Sequence, residues 1–149
     1  MKKSFLLAST LALTFLTSGQ AMAMEVAPEA TVYETETNET FGTATRFAIG
    51  DTVYGRMYPN TGFSTDVDMF SFSNYLSGTT TVSLTNIQAG CNYDLYLYDQ
   101  NFNLVASSTH SSNLPETISK PLGLAKYYVK VVSYSGYSAY YYNLKVTVQ

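Results

Sequence analysis

Short runs of alternating apolar and polar residues, broken by Gly, Asn, Ser and Pro, recur along this chain from Thr52 to its end. Alternation with a period of two marks half-buried strands, because successive side chains point to opposite faces. The runs predict eight strands: Thr52–Met57, Asp68–Ser73, Thr79–Thr85, Asp94–Tyr98, Leu104–Ser108, Glu116–Ser119, Tyr127–Ser133 and Tyr140–Val148. Each is rich in Val, Thr, Tyr, Phe or Leu, which fit a pleated surface. Phe70 and Phe72 share one face, with Met69, Ser71 and Ser73 on the other. Leu95 and Leu97 face the core and leave Tyr96 and Tyr98 outward. Tyr142, Leu144, Val146 and Val148 line up inward; Tyr140 shares their parity, and Tyr141 points out. Turns are legible at Leu76-Ser77-Gly78, Asp99-Gln100-Asn101 and Tyr134-Ser135-Gly136. No long helical stripe appears, and one short helical turn is expected over Thr40–Arg46. The fold class is therefore all-β, an antiparallel β-sandwich, jelly-roll-like, of about eight strands.

The N-terminus reads differently. Lys2 and Lys3 precede an apolar stretch, Phe5 to Leu16, and Ala21-Met22-Ala23 has the form of a cleavage site. This is the pattern of a bacterial signal peptide, residues 1–23, cleaved after Ala23, which predicts secretion. Residues 24–33 read as a flexible leader, and 34–149 as one domain. Without Lys2 and Lys3, six of the eight basic residues remain against eleven acidic ones, a net charge of about −5. With no basic run, the chain suits neither nucleic acid nor an anionic membrane surface. Cys91 is the single cysteine, so no intramolecular disulfide can form and the fold must rest on its core.

Two acidic segments stand out, Glu34-Thr35-Glu36-Thr37-Asn38-Glu39 and Asp66-Val67-Asp68. Glu34, Glu36, Asn38, Glu39, Asp66 and Asp68 are all hard oxygen donors, the type that binds Ca²⁺ with six to eight oxygens. A solvated polar loop is the other reading of the same residues.

These segments head a series of motifs. Glu34 to Glu39 is followed by Phe41-Gly42-Thr43-Ala44, then Gly50-Asp51-Thr52-Val53-Tyr54-Gly55, then Asp66 to Phe72 in the form D-x-D-x-F-x-F. Asp94-Leu95-Tyr96-Leu97-Tyr98-Asp99, Asn101 to Ser107, Tyr127-Tyr128-Val129-Lys130-Val131 and Tyr142-Asn143-Leu144-Lys145-Val146 complete it. In order and spacing the chain resembles the bacterial pre-peptidase C-terminal domain over residues 34–149, and is similar to the collagen-binding domains of clostridial collagenases. The resemblance implies a β-sandwich in which the opening acidic segment folds against the D-x-D strand and both supply calcium ligands. It nominates Glu34, Glu36, Asn38, Glu39 and Asp68, with Asp66 beside them. Thr37 stands where the family usually has Pro, and Glu39 where it often has Asp.

Catalytic chemistry finds little support. His110, the single histidine, lies in the polar run Ser107 to Ser112. One His and one Cys cannot build a zinc site, and no glycine-rich phosphate loop occurs. Asp94 and Asp99 read as turn caps at strand ends. The protein is expected not to be an enzyme. Its fourteen tyrosines, seven of them between Tyr127 and Tyr142, offer another lead. Outward tyrosines present a rigid face with a hydroxyl, as binding surfaces do. Tyr96, Tyr98 and Tyr141 are the candidates, for an extracellular protein or polysaccharide. The alternative is an accessory or chaperone-like domain that assists a secreted peptidase.

Overall fold

A computed structural model describes residues 29–59 and 66–149. The predicted signal peptide and the first part of the leader lie outside the described residues. Among the described residues, ten strands form two five-stranded sheets: β1 (Thr31–Tyr33), β2 (Thr45–Arg46), β3 (Thr52–Gly55), β4 (Val67–Ser73), β5 (Thr79–Thr85), β6 (Asn92–Tyr98), β7 (Leu104–Ser108), β8 (Glu116–Pro121), β9 (Lys126–Ser135) and β10 (Tyr142–Val148). One sheet runs β1-β3-β10-β5-β8, the other β2-β4-β9-β6-β7. Nearly every connection crosses between the sheets; β6 and β7 are the consecutive strands that pair directly.

All eight predicted strands are present, and they pair antiparallel throughout. The two short strands that the pattern missed, β1 and β2, add in parallel at one edge of each sheet, so the sheets are mixed. Strands of two or three residues carry too little alternation to announce themselves. The predicted leader is accordingly shorter, since Thr31–Tyr33 pairs with Thr52–Tyr54. The expected helical turn over Thr40–Arg46 is a tight turn, closed by Thr43 N–H donating to Thr40 O (3.1 Å), that runs into β2.

The inward faces make one core. Phe70, Phe72, Val82, Leu84, Leu95, Leu97, Val129, Val131, Leu144 and Val146 are buried, as alternation requires. Each such side chain stabilises the fold by about 1.5–3 kcal/mol. Tyr142 is 1% exposed and joins this core. Tyr140 does not, at 73% exposed, because β10 begins only at Tyr142 and parity has no meaning before the strand starts.

The acidic segment owes its position to the edge strands. β1 leaves Tyr33 in one sheet and β2 begins in the other, so Glu34 to Ala44 must cross from sheet to sheet. Glu34 N–H still donates to Tyr54 O (3.0 Å), and Asn38 O already accepts Met69 N–H (3.0 Å). The crossing therefore passes over the start of β4, where Asp68 lies.

Candidate metal centre

Asp68 has the parity of Phe70 and Phe72, and so points between the sheets. It is fully buried. Tyr142 donates its hydroxyl to Asp68 Oδ2, while Oδ1 has no hydrogen-bond partner. Gly55 makes this reach possible. It pairs opposite Tyr142, and a Cβ there would overlap the phenol ring.

Glu34 meets Asp68 from the crossing segment. Its Oε1 accepts Arg56 N–H (2.6 Å), and its Oε2 is buried without a partner. Glu36 completes a triad in which one carboxylate oxygen from each of Glu34, Glu36 and Asp68 lies within 4.8 Å of the others. Calcium–oxygen distances are about 2.3–2.6 Å, so two ligands on opposite sides of one ion sit about that far apart. Asn38 is fully buried next to them. Its Nδ2 donates weakly to Thr45 Oγ1 (3.5 Å), and its Oδ1 has no partner.

Electrostatics mark the same place. Burial pushes the Glu34 carboxyl up to about 7, with the neighbouring Glu36 and Asp66 charges adding to it. Burial, and then the Glu34 charge, pushes Asp68 up to about 10. Glu36 is raised by partial burial and by Asp66 and Glu39. Ionised, Glu34 and Asp68 are two acceptors facing each other with no donor between them. A shared proton or a cation relieves that arrangement. The residues fit Ca²⁺: hard oxygens only, at suitable separation, with buried lone pairs otherwise unused.

Not every sequence candidate behaves alike. Glu34, Glu36 and Asp68 come together, with Asn38 alongside. Glu39 is exposed and contributes its charge. Asp66 is buried, but its Oδ2 accepts Tyr58 N–H (2.5 Å), so it holds the Arg56–Pro59 segment beside the site. Sequence reading missed Tyr142 and Gly55 as supports. The shared parity of Asp68 with two core phenylalanines was the available signal.

The tyrosine candidates separate. Tyr96 and Tyr98 lie on β6 in one sheet, and Tyr141 precedes β10 in the other, so the three form no common face. All three are half-buried. Tyr96 donates its hydroxyl to Asp94 Oδ2 (3.2 Å), and Tyr98 packs edge-on against Phe41 (5.4 Å). Tyr141 belongs to a different cluster. It meets Tyr33 (5.4 Å) and Tyr54 (6.0 Å) edge-on, and the Arg56 guanidinium lies 3.7 Å from its ring centre. Tyr33 stacks on Tyr54 at 5.5 Å. Tyr33 fell in the expected leader and so escaped the sequence reading; it directly precedes Glu34.

His110 sits beside Ser108 and Glu116, but not as a catalytic relay. Such a relay needs the serine and the acid on opposite ring nitrogens. Here both meet Nδ1, Glu116 Oε2 at 3.0 Å and Ser108 Oγ at 3.4 Å, and Ser108 donates directly to Glu116. The buried Glu116 carboxylate, which also accepts His110 N–H (2.7 Å), anchors the loop between β7 and β8.

No family model and no curated protein sequence matches the chain. Among solved structures, it is similar to the pre-peptidase C-terminal domain of collagenase from Bacillus anthracis. That likeness has a TM-score of 0.55 and 19% identity, over 70% of this chain and 94% of that one. It shows the fold: an all-β sandwich like a pre-peptidase C-terminal domain. A β-glucosidase from Paenibacillus barengoltzii aligns at a TM-score of 0.29 and 10% identity, over 80% of this chain and 13% of that one.

Proposed function

We propose that this protein is a secreted, noncatalytic member of the pre-peptidase C-terminal group, stabilised by calcium and holding an extracellular protein or polysaccharide. The observation that carries the metal half is the set of buried side-chain oxygens without donors, Glu34 Oε2, Asn38 Oδ1 and Asp68 Oδ1. Leaving one such group unsatisfied costs about 1–3 kcal/mol, and coordination by a cation removes that cost. Glu34, Glu36, Asp68 and Asn38 would hold the ion, and it would tie the first sheet's edge to β4. The binding half is supported by the aromatic cluster Tyr33, Tyr54 and Tyr141, with Arg56 packed on it. Since Arg56 N–H also donates to Glu34, the cluster and the metal site share a backbone segment.

The test is a thermal melt of residues 24–149 with calcium and with a chelator. Calcium at 100 times its dissociation constant adds about 2.7 kcal/mol, a rise of roughly 10 °C for a domain of this size. Asp68→Asn should abolish the rise and leave the chelated melt nearly unchanged, because the buried carboxyl is already protonated there at neutral pH. No rise in the parent protein at millimolar calcium would remove the metal from the function.

A further inference from the structure

A second site arises where β2 ends too soon. β2 pairs with β4 at only two positions, Thr45 with Phe70 and Arg46 with Ser71. The chain then turns away: Phe47 N–H donates to Ser71 O (3.1 Å), and by Gly50, whose N–H donates to Val146 O (2.9 Å), it has reached the other sheet. Among the described residues, no strand pairs with Phe72 and Ser73, the last two residues of β4, on that edge. A cavity of about 1020 Å³ opens there. Small-molecule sites run to about 300–1,000 Å³, so it has room for a chain-like ligand.

Its floor is apolar: Phe47, Ile49, Phe72, Leu76 and Val148. Its rim carries Arg46 and Lys126, with Tyr75 standing beside them 77% exposed. Arg46 lies opposite Ser71, and Lys126 opposite Ser73, so both cations project from the outer face of the sheet, above the edge from which Phe72 points inward. Neither pairs with a carboxylate among the described residues, where the ion pairs are His110–Glu116 and Lys145–Glu29. The Lys126 ammonium rests 4.5 Å from the centre of the Tyr128 ring. Among the described residues, no acidic side chain lines the cavity. In a chain with eight basic residues against eleven acidic ones, two cations thus stand at the rim of one apolar cavity.

We propose that the cavity binds a single-chain amphiphile with an anionic head, a free long-chain carboxylate. The tail covers the floor and the head meets Arg46 and Lys126 through charge-assisted hydrogen bonds. A neutral ligand would leave both cations unused, a cationic one would be repelled, and a polyanion would meet the acidic remainder of the molecule. The site shares no residue with the acidic centre, so the two stand or fall separately.

The test is calorimetric titration of residues 24–149 with dodecanoate below its micellar concentration. A chelator is present throughout, because calcium precipitates long-chain carboxylates. Dodecanol and dodecyltrimethylammonium serve as neutral and cationic comparisons. Saturable one-to-one binding of dodecanoate is expected, at least about tenfold tighter than either comparison, the ratio of one good polar contact. Arg46→Glu with Lys126→Glu should invert that order in favour of the cation, with an unchanged circular dichroism spectrum. Leu76→Gln should weaken all three ligands. Absence of saturable dodecanoate binding overturns the proposal. So does equal binding of the three head groups, or full retention by the charge-reversed protein, since each means unspecific apolar adsorption.

Discussion

Asp68 and Glu34 would titrate near 3.8 and 4.5 as free side chains, and near 10 and about 7 in the metal-free fold. Above the lower values the native state holds more protons than the unfolded chain, so stability falls as pH rises. The loss from Glu34 accumulates between about pH 4.5 and 7, and that from Asp68 continues toward 10. Glu36, Asp66 and Asp94 are raised as well and act in the same direction. Asp99, exposed and lowered by its bonds from Asn103, opposes them weakly. The proposed calcium ion would require the ionised carboxylates, so its affinity should grow over the same range. Melts in chelator from pH 4.5 to 7 should therefore show a falling Tm, and melts in calcium a flat or rising one. A chelated Tm that climbs with pH would contradict the buried, unpaired state of these groups. Parity made the position of Asp68 legible, for a carboxylate two residues before Phe70 lies on the core face. Nothing local shows that Glu34 faces it, because their meeting depends on the crossing between sheets.

Among elements, the β3–β10 pair holds the site open. Gly55 on β3 lies under the Tyr142 ring, which packs edge-on against Phe70 (6.5 Å) and Tyr93 (6.0 Å) and carries its hydroxyl to Asp68. A methyl group at Gly55 has nowhere to go. Gly55→Ala should cost about 1–3 kcal/mol by overpacking, and should reduce the calcium-induced shift as Tyr142 is displaced. Gly42→Ala is the control, since its Cβ would approach nothing closer than 3.8 Å; it should stay within about 0.5 kcal/mol. Denaturant titration of both variants separates the cases. The eight longer strands were readable because four or more residues of alternation, bounded by turn residues, specify both extent and facing. β1 and β2 were not, because each is defined by a parallel neighbour distant in sequence. Their absence from the pattern also moved Tyr33 out of view.

On the scale of the whole molecule, the aromatic surplus divides between the two outer surfaces. Phe41, Tyr98, Phe102 and Tyr128 pack together on one sheet, and Tyr33, Tyr54 and Tyr141 on the other. The second group adjoins the converging carboxylates, through Tyr33 before Glu34 and through Arg56, whereas the first meets the acidic segment at Phe41, beyond the exposed Glu39. Tyr33→Ser with Tyr141→Ser should therefore reduce retention on an insoluble protein or polysaccharide that the parent protein binds, whereas Tyr96→Ser should not. The Tyr33 change by itself should alter stability by no more than about 1 kcal/mol, since its ring is 56% exposed. Equal loss from both faces, or from neither, would locate recognition elsewhere. The sequence alone determined the all-β class, the eight main strands, their inward faces and the oxygen-rich character of the two acidic segments. These follow from alternation and from side-chain chemistry, which are local. Only the tertiary structure decided which acidic residues converge, which tyrosines share a surface, and where the short β2 leaves a cavity. Those facts depend on strands pairing across 20 to 100 residues of chain, a distance over which residue pattern carries no register.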